Sequence, residues 1–69
     1  TLWRIASRKL DQIDSVRELD ELKVPPGNRL ERLSGDRNCE CSIRINEQYR
    51  ICFIWGDAGP SNVEITDYH

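Results

Sequence analysis

The stretch CSIRINEQYRICFIW, residues 41–55, decides the fold. Cys41, Ile43 and Ile45 alternate with Ser42, Arg44 and Asn46, the period-two pattern of a strand with one buried face. Glu47-Gln48 is short enough for a hairpin turn, although it lacks the usual glycine. Tyr49 to Trp55 is apolar at nearly every position, as expected of a strand covered on both faces. The longest apolar run, Ile51 to Trp55, is only a strand's length and falls far short of the ~20 residues a membrane span requires. No signal peptide is evident.

On the C-terminal side, Gly56-Asp57-Ala58-Gly59-Pro60 turns the chain. Val63 and Ile65 then alternate with Asn62, Glu64 and Thr66 in a last strand. On the N-terminal side, Ser34 to Asn38 reads as a loop. Arg29 to Leu33 reads as a strand in which Leu30 and Leu33 break strict phase, so a bulge or bend is expected there. Further back, Leu2, Ala6, Leu10 and Ile13 recur at helical spacing, with Ile5 widening the stripe. Arg4, Arg8, Lys9 and Asp11 take the opposite side, which makes this an amphipathic helix. Ser15-Val16-Arg17-Glu18 has the form of a capping box opening a second short helical segment that carries Leu19 and Leu22. The prolines in Val24-Pro25-Pro26-Gly27-Asn28 end that segment. The expected architecture is α+β: two N-terminal helical segments packed on a four-stranded antiparallel sheet, with residues 1–69 forming a single domain.

A chain of 69 residues buries only about 60% of its unfolded surface, so help from a partner, a metal or disulfides would matter. With 38% hydrophobic and 32% charged residues the composition is globular rather than disordered. The three cysteines, Cys39, Cys41 and Cys52, have no zinc-type spacing, and free thiols in a reducing cytoplasm are the favoured reading. Cys52, within the apolar run, is expected to be a small core residue. Neither a cofactor nor a metal is expected. The net charge of −2 gives no footprint for nucleic acid by itself, but its distribution is uneven. Residues 28–50 hold five arginines against four acids, whereas the last nineteen residues hold three acids and no Lys or Arg.

Cleaving RNA without a metal needs a base for the 2′-hydroxyl, an acid for the departing 5′-oxygen and a cation for the phosphorane. His69 is the chain's one imidazole and could act as acid or base, but as the last residue it reads more readily, on composition alone, as a frayed end or tag remnant. Arg50 shares a strand face with Cys52 and Ile54, so it must pair, snorkel or serve a ligand. A salt bridge to Glu31, Glu64 or Asp67 and a phosphate clamp stand as equal options. Tyr68 could stack on a base or pack over the sheet edge. Trp3 and Trp55 are assigned to core or partner contact. The Gly35-Asp36-Arg37 loop offers amides and an arginine to phosphate, on a weak signal.

Five segments occur in order. They are Asn28-Arg29-Leu30-Glu31, Leu33-Ser34-Gly35-Asp36-Arg37, Ser42-Ile43-Arg44-Ile45-Asn46, Gln48-Tyr49-Arg50-Ile51-Cys52-Phe53 and Val63-Glu64-Ile65-Thr66-Asp67-Tyr68-His69. Together they resemble the HigB toxins (plasmid maintenance system killer proteins) of the RelE/ParE superfamily, closely from Pro25 to His69 and more loosely over the helix before it. The resemblance implies a RelE-like fold and a ribosome-dependent mRNA endoribonuclease that acts in the A site and inhibits translation. It also implies a helix-turn-helix antitoxin of the HigA type, contact with operator DNA only through that antitoxin, and no membrane partner. Carried over to this chain, Arg50 matches the transition-state arginine, and Asp67, Tyr68 and His69 match a C-terminal Asp-Tyr-His of the active site. Arg37 is expected at RNA or ribosome, and Arg32, Ser34 and Arg44 are grouped with it as RNA-binding candidates.

The chain departs from the pattern in three places. Glu31 stands where some HigB toxins carry histidine, and Ser34 where they carry lysine. Glutamate serves as general base in other RelE relatives, so Glu31 is expected to take that role, with His69 or Tyr68 as the acid. Family members usually carry an N-terminal strand and helix before the helix that begins here, so the sheet is expected to show an exposed edge. Two other functions fit the same superfamily: a ParE-like toxin that binds DNA gyrase, and an inactive remnant that only binds its antitoxin.

Overall fold

The computed structural model describes residues 2–32 and 40–67. Helix α1 spans Leu2–Ser15 and is followed by two short 3-10 turns, Leu19–Lys23 and Pro26–Asn28. Four strands follow: β1 (Glu31–Arg32), β2 (Glu40–Arg44), β3 (Tyr49–Gly56) and β4 (Gly59–Asp67). They pair antiparallel in the order β1-β2-β3-β4, the meander that the alternation predicts. Among the described residues no helix is long and apolar enough to cross a membrane.

The register sets the two faces of the sheet. Cys41 pairs with Phe53, Ile43 with Ile51, and Ile51 in turn with Ile65. This odd-numbered face meets Ala6 and Ile13 of α1 and Leu19 and Leu22 of the first 3-10 turn in one core. Burying a side chain such as Phe53 or Ile51 contributes about 1.5–3 kcal/mol. β3 is therefore fully covered on one face only. On the other, Cys52 and Ile54 are half-buried, so Cys41 rather than Cys52 is the core cysteine. Trp3, at 69% exposure, is excluded from the core, while Trp55 packs edge-to-face on Phe53. Leu2 and Ile5 also stay exposed, so the buried stripe of α1 is narrower than its spacing suggests.

The capping device lies three residues later than Ser15. The amide of Val16 still donates to the Gln12 carbonyl, so Ser15 sits inside the helix, and its hydroxyl donates to the Asp11 carbonyl at 2.7 Å. The amides left over are those of Arg17 and Glu18, and the Glu21 carboxylate accepts from both, at 2.7 and 2.8 Å. The following segment is a 3-10 turn rather than an α-helical one. Val24–Pro25 is a cis peptide, and the second 3-10 turn closes with Asn28.

Asn28 is fully buried. Its Nδ2 donates to the carbonyls of Leu22 (3.1 Å) and Val24 (3.4 Å) and to Oε1 of Gln12 (3.1 Å), while its Oδ1 accepts from Lys9 Nζ. One amide thus ties α1 to both 3-10 turns. The next residue, Arg29, has φ 46°, which moves the start of the first strand from the expected Arg29 to Glu31; the expected end at Leu33 lies outside the described residues.

The hairpin between β2 and β3 turns without glycine because Asn46 supplies the acceptor. Its Oδ1 takes the amides of Gln48 and Tyr49, both at 2.8 Å, so Ile45 and Asn46 leave the strand expected to contain them. Between β3 and β4 only Asp57 and Ala58 turn, and Gly59 (φ 102°) and Pro60 already belong to β4. Cys52 pairs with Glu64 but Ile54 with Ser61, so Asn62 and Val63 stand opposite the single residue Phe53. This is a β-bulge, and Asn62 accommodates it with φ 50°.

Two measurements test this account. Asn28→Ala should lower stability by about 2 kcal/mol in urea unfolding, because it leaves the buried carbonyl of Leu22 without the Asn28 donor. The second concerns Glu21, whose carboxyl is held below its ordinary value of 4.5 by the amides of Glu18 and Arg17 and by the Arg17 charge. Its contribution is therefore full above the unfolded value and lost as pH falls through the folded one. The stability difference between the unaltered chain and Glu21→Gln should shrink on acidification from neutral to well below pH 4.5, and a difference that grew would refute the assignment.

Candidate active site

Arg50 belongs to the sheet face turned away from α1, paired with Arg44 on one side and Thr66 on the other. Its residue exposure is 6%, so the guanidinium must find acceptors. Nε donates to Ser42 Oγ at 2.9 Å. Nη2 donates to the carbonyl of Arg29 at 2.7 Å and to that of Ser42 at 3.3 Å. The Glu31 carboxylate stands 3.8 Å from Nη2 and is half exposed. Among the described residues no buried side-chain nitrogen or oxygen lacks a partner.

The elements explain why these groups converge. Glu31 pairs with Ser42, and Ser42 with Cys52, so Glu31 and Ser42 share the Arg50 face one row along. A long side chain on an antiparallel pair reaches its diagonal neighbour, and Arg50 reaches Ser42 in this way. Arg29 comes from outside the sheet. Its left-handed conformation caps the Pro26–Asn28 turn, where its own amide donates to the Pro26 carbonyl at 3.1 Å and its carbonyl meets Arg50.

A cleft of about 320 Å³ opens at this place, lined by Arg29, Glu31, Arg44, Asn46, Glu47 and Arg50. Arg44 folds onto the hairpin turn, its Nε donating to the Asn46 carbonyl at 3.1 Å. Three guanidinium groups and two carboxylates suit an anionic ligand that also needs a proton acceptor nearby. A larger depression of about 420 Å³ at the bulge, lined by Phe53, Ile54, Asn62, Val63 and Glu64, carries one carboxylate and no cation.

Of the residues proposed from sequence, Arg50, Glu31 and Arg44 come together here. Of the three carboxylates offered as partners of Arg50, Glu31 is the one that pairs. Asp67 falls on the other face, opposite Tyr49, where its Oδ2 accepts from Gln48 Nε2 at 3.3 Å. Arg32 pairs with Cys41 and so lies on the α1 side of the sheet, exposed and apart from Arg50. Ser34, Arg37, Tyr68 and His69 lie outside the described residues. Arg29, Ser42, Asn46 and Glu47 were missed. Strand alternation puts Ser42 on the Arg50 face once the hairpin register is known, so that signal was present. A backbone carbonyl on Arg29 leaves no trace in residue types.

Residues 2–69 match the family model of the RelE-like toxin of type II toxin-antitoxin system HigB. The chain is 48% identical over 50 residues to Toxin HigB-1 of Vibrio cholerae serotype O1, covering 72% of this chain and 53% of that protein. It is 40% identical over 62 residues to an uncharacterized protein of Haemophilus influenzae, covering 90% of this chain and 61% of that protein. It thus spans about half to three-fifths of the length of these relatives. With an α+β fold and a match over nearly its whole length, the chain belongs to the HigB family of RelE-like type II toxins.

Proposed function

We propose that this chain carries the catalytic cleft of a ribosome-dependent mRNA endoribonuclease, cleaving in the A site and neutralised by a HigA-type antitoxin. The observation that carries the reading is the buried Arg50 guanidinium, fixed by backbone-anchored acceptors at the wall of a cleft with two further arginines and Glu31. In the proposed reaction a base removes the proton of the 2′-hydroxyl, and the 2′-oxygen bonds to phosphorus. The bond to the 5′-oxygen then breaks as an acid protonates it, leaving a cyclic phosphate and a 5′-hydroxyl. Arg50 faces the charge that develops on the phosphorane, which is where a preorganised cation lowers the barrier most. Glu31, half exposed beside it, is the proposed base, and His69 or Tyr68 the acid. Arg44, at the cleft, is the proposed contact to flanking phosphate.

A second reading, a protein that binds its antitoxin without cleaving, draws on different residues. β4 is an edge strand, and Val63 and Ile65 on it are exposed, as are Leu2, Trp3 and Ile5 on α1.

The deciding experiment is cleavage of a defined mRNA by the purified chain, with and without programmed ribosomes. Cuts that need the ribosome should fall by about 10²–10³-fold in Arg50→Ala. They should fall by about 10²-fold or more in Glu31→Gln, with both variants folded by circular dichroism. In cells, Arg50→Ala and His69→Ala should each relieve growth inhibition. No cleavage by the folded, unaltered chain would favour the binding reading. Full activity in Glu31→Gln would remove Glu31 from the mechanism.

A further inference from the structure

We infer that Ser42 is the positioning residue for the Arg50 guanidinium, holding its plane in the orientation that meets phosphate; the inference rests on the reading of Arg50 proposed above. Ser42 is 2% exposed, an unusual place for a hydroxyl in a strand between Cys41 and Ile43, and Arg50 accounts for it. Both oxygens of Ser42 accept from the same guanidinium, Oγ from Nε and the carbonyl from Nη2. Two adjacent donors on one residue's two acceptors define a plane, which a single contact cannot do. The Arg29 carbonyl bears on Nη2 from a third direction.

Glu31 does not share this task. At 3.8 Å, with half its carboxylate in water, it supplies charge without a fixed geometry. A phosphate entering the cleft therefore competes with Glu31 for the guanidinium and leaves the Ser42 anchor in place. An incoming anion frees the Glu31 carboxylate at the moment a base is needed, while the cation stays oriented. The hydroxyl of Ser42 touches no reacting atom in this scheme, and its effect passes through Arg50 alone.

The test compares Ser42→Ala, the near-isosteric Ser42→Cys, whose sulfur is a weak acceptor, and Ser42→Thr, which restores the hydroxyl. In ribosome-dependent cleavage, Ala and Cys should lower kcat by about ten- to a hundredfold with KM within about twofold, and Thr should recover most of the loss. Ser42→Ala combined with Arg50→Ala should be no slower than Arg50→Ala alone. An independent readout is the Arg50 Nε–H proton in NMR. It should exchange with water at least about tenfold more slowly than the exposed arginines, and lose that protection in the Ala and Cys variants. The Cys variant keeps the volume, so it answers the question if Ala fails to fold. Undiminished kcat in the Ala and Cys variants, additive losses with Arg50→Ala, or an Nε–H that exchanges freely in the unaltered chain would each overturn the inference. If the unaltered chain does not cleave, the nuclease reading falls, and the positioning role in catalysis falls with it. A protected Nε–H would then show that the failure lies in the chemistry rather than in the anchor.

Discussion

A guanidinium taken out of water in the middle of a sheet must be surrounded by acceptors, and Arg50 imposes that requirement on the rest of this small protein. Two of its acceptors belong to Ser42, which ties the charge to the β2–β3 register. A shift of one residue in that pairing would turn Ser42 to the α1 side and Ile43 toward the charge. Another acceptor among the described residues is the carbonyl of Arg29, placed by that residue's left-handed conformation. The same charge therefore specifies a strand register and a turn conformation together.

The turn is in turn set by the buried amide of Asn28. Its side chain joins α1, through Gln12 and Lys9, to the carbonyls of Leu22 and Val24. The chain leaves this anchored turn directly into Arg29, so the position of α1 on the core and the position of the Arg29 carbonyl at the cleft are mechanically linked. Apolar packing of Ala6, Ile13, Ile43, Ile51 and Phe53 provides the cohesion, and the two polar anchors decide how the packed parts are aligned.

Much of the fold was legible from local pattern. The alternation of Cys41, Ile43 and Ile45, the apolar run from Tyr49 and the helical spacing of Ala6 and Ile13 each report on their own neighbours, and each placed its element correctly. Errors arose where a polar side chain or backbone competed with the pattern. Ser15 resembled a cap, but the α1 hydrogen-bond ladder ran past it to Val16. Asn46 drew the chain into a turn while Ile45 kept its buried place, so an apolar alternation continued beyond the end of the strand. At the site, Arg50 and Glu31 were legible as a charge pair, though Arg50 had two other carboxylates to choose from.

The sequence by itself determined the order and type of the elements, the face on which Arg50 would stand and the family resemblance. The first two depend on residue types within a few positions of one another, and the resemblance on the order of short segments along the chain. Only the tertiary structure decided that Ser42 and the Arg29 carbonyl, eight and twenty-one residues away in the chain, would close on Arg50. It also decided that Glu31 would be the carboxylate beside it and that Asp67 would face the other way. The physical reason is that these contacts are fixed by strand register, a bulge and a left-handed turn, and among the described residues two acceptors of Arg50 are backbone carbonyls. A carbonyl is the same in every residue, so no pattern of side chains announces where it will be used.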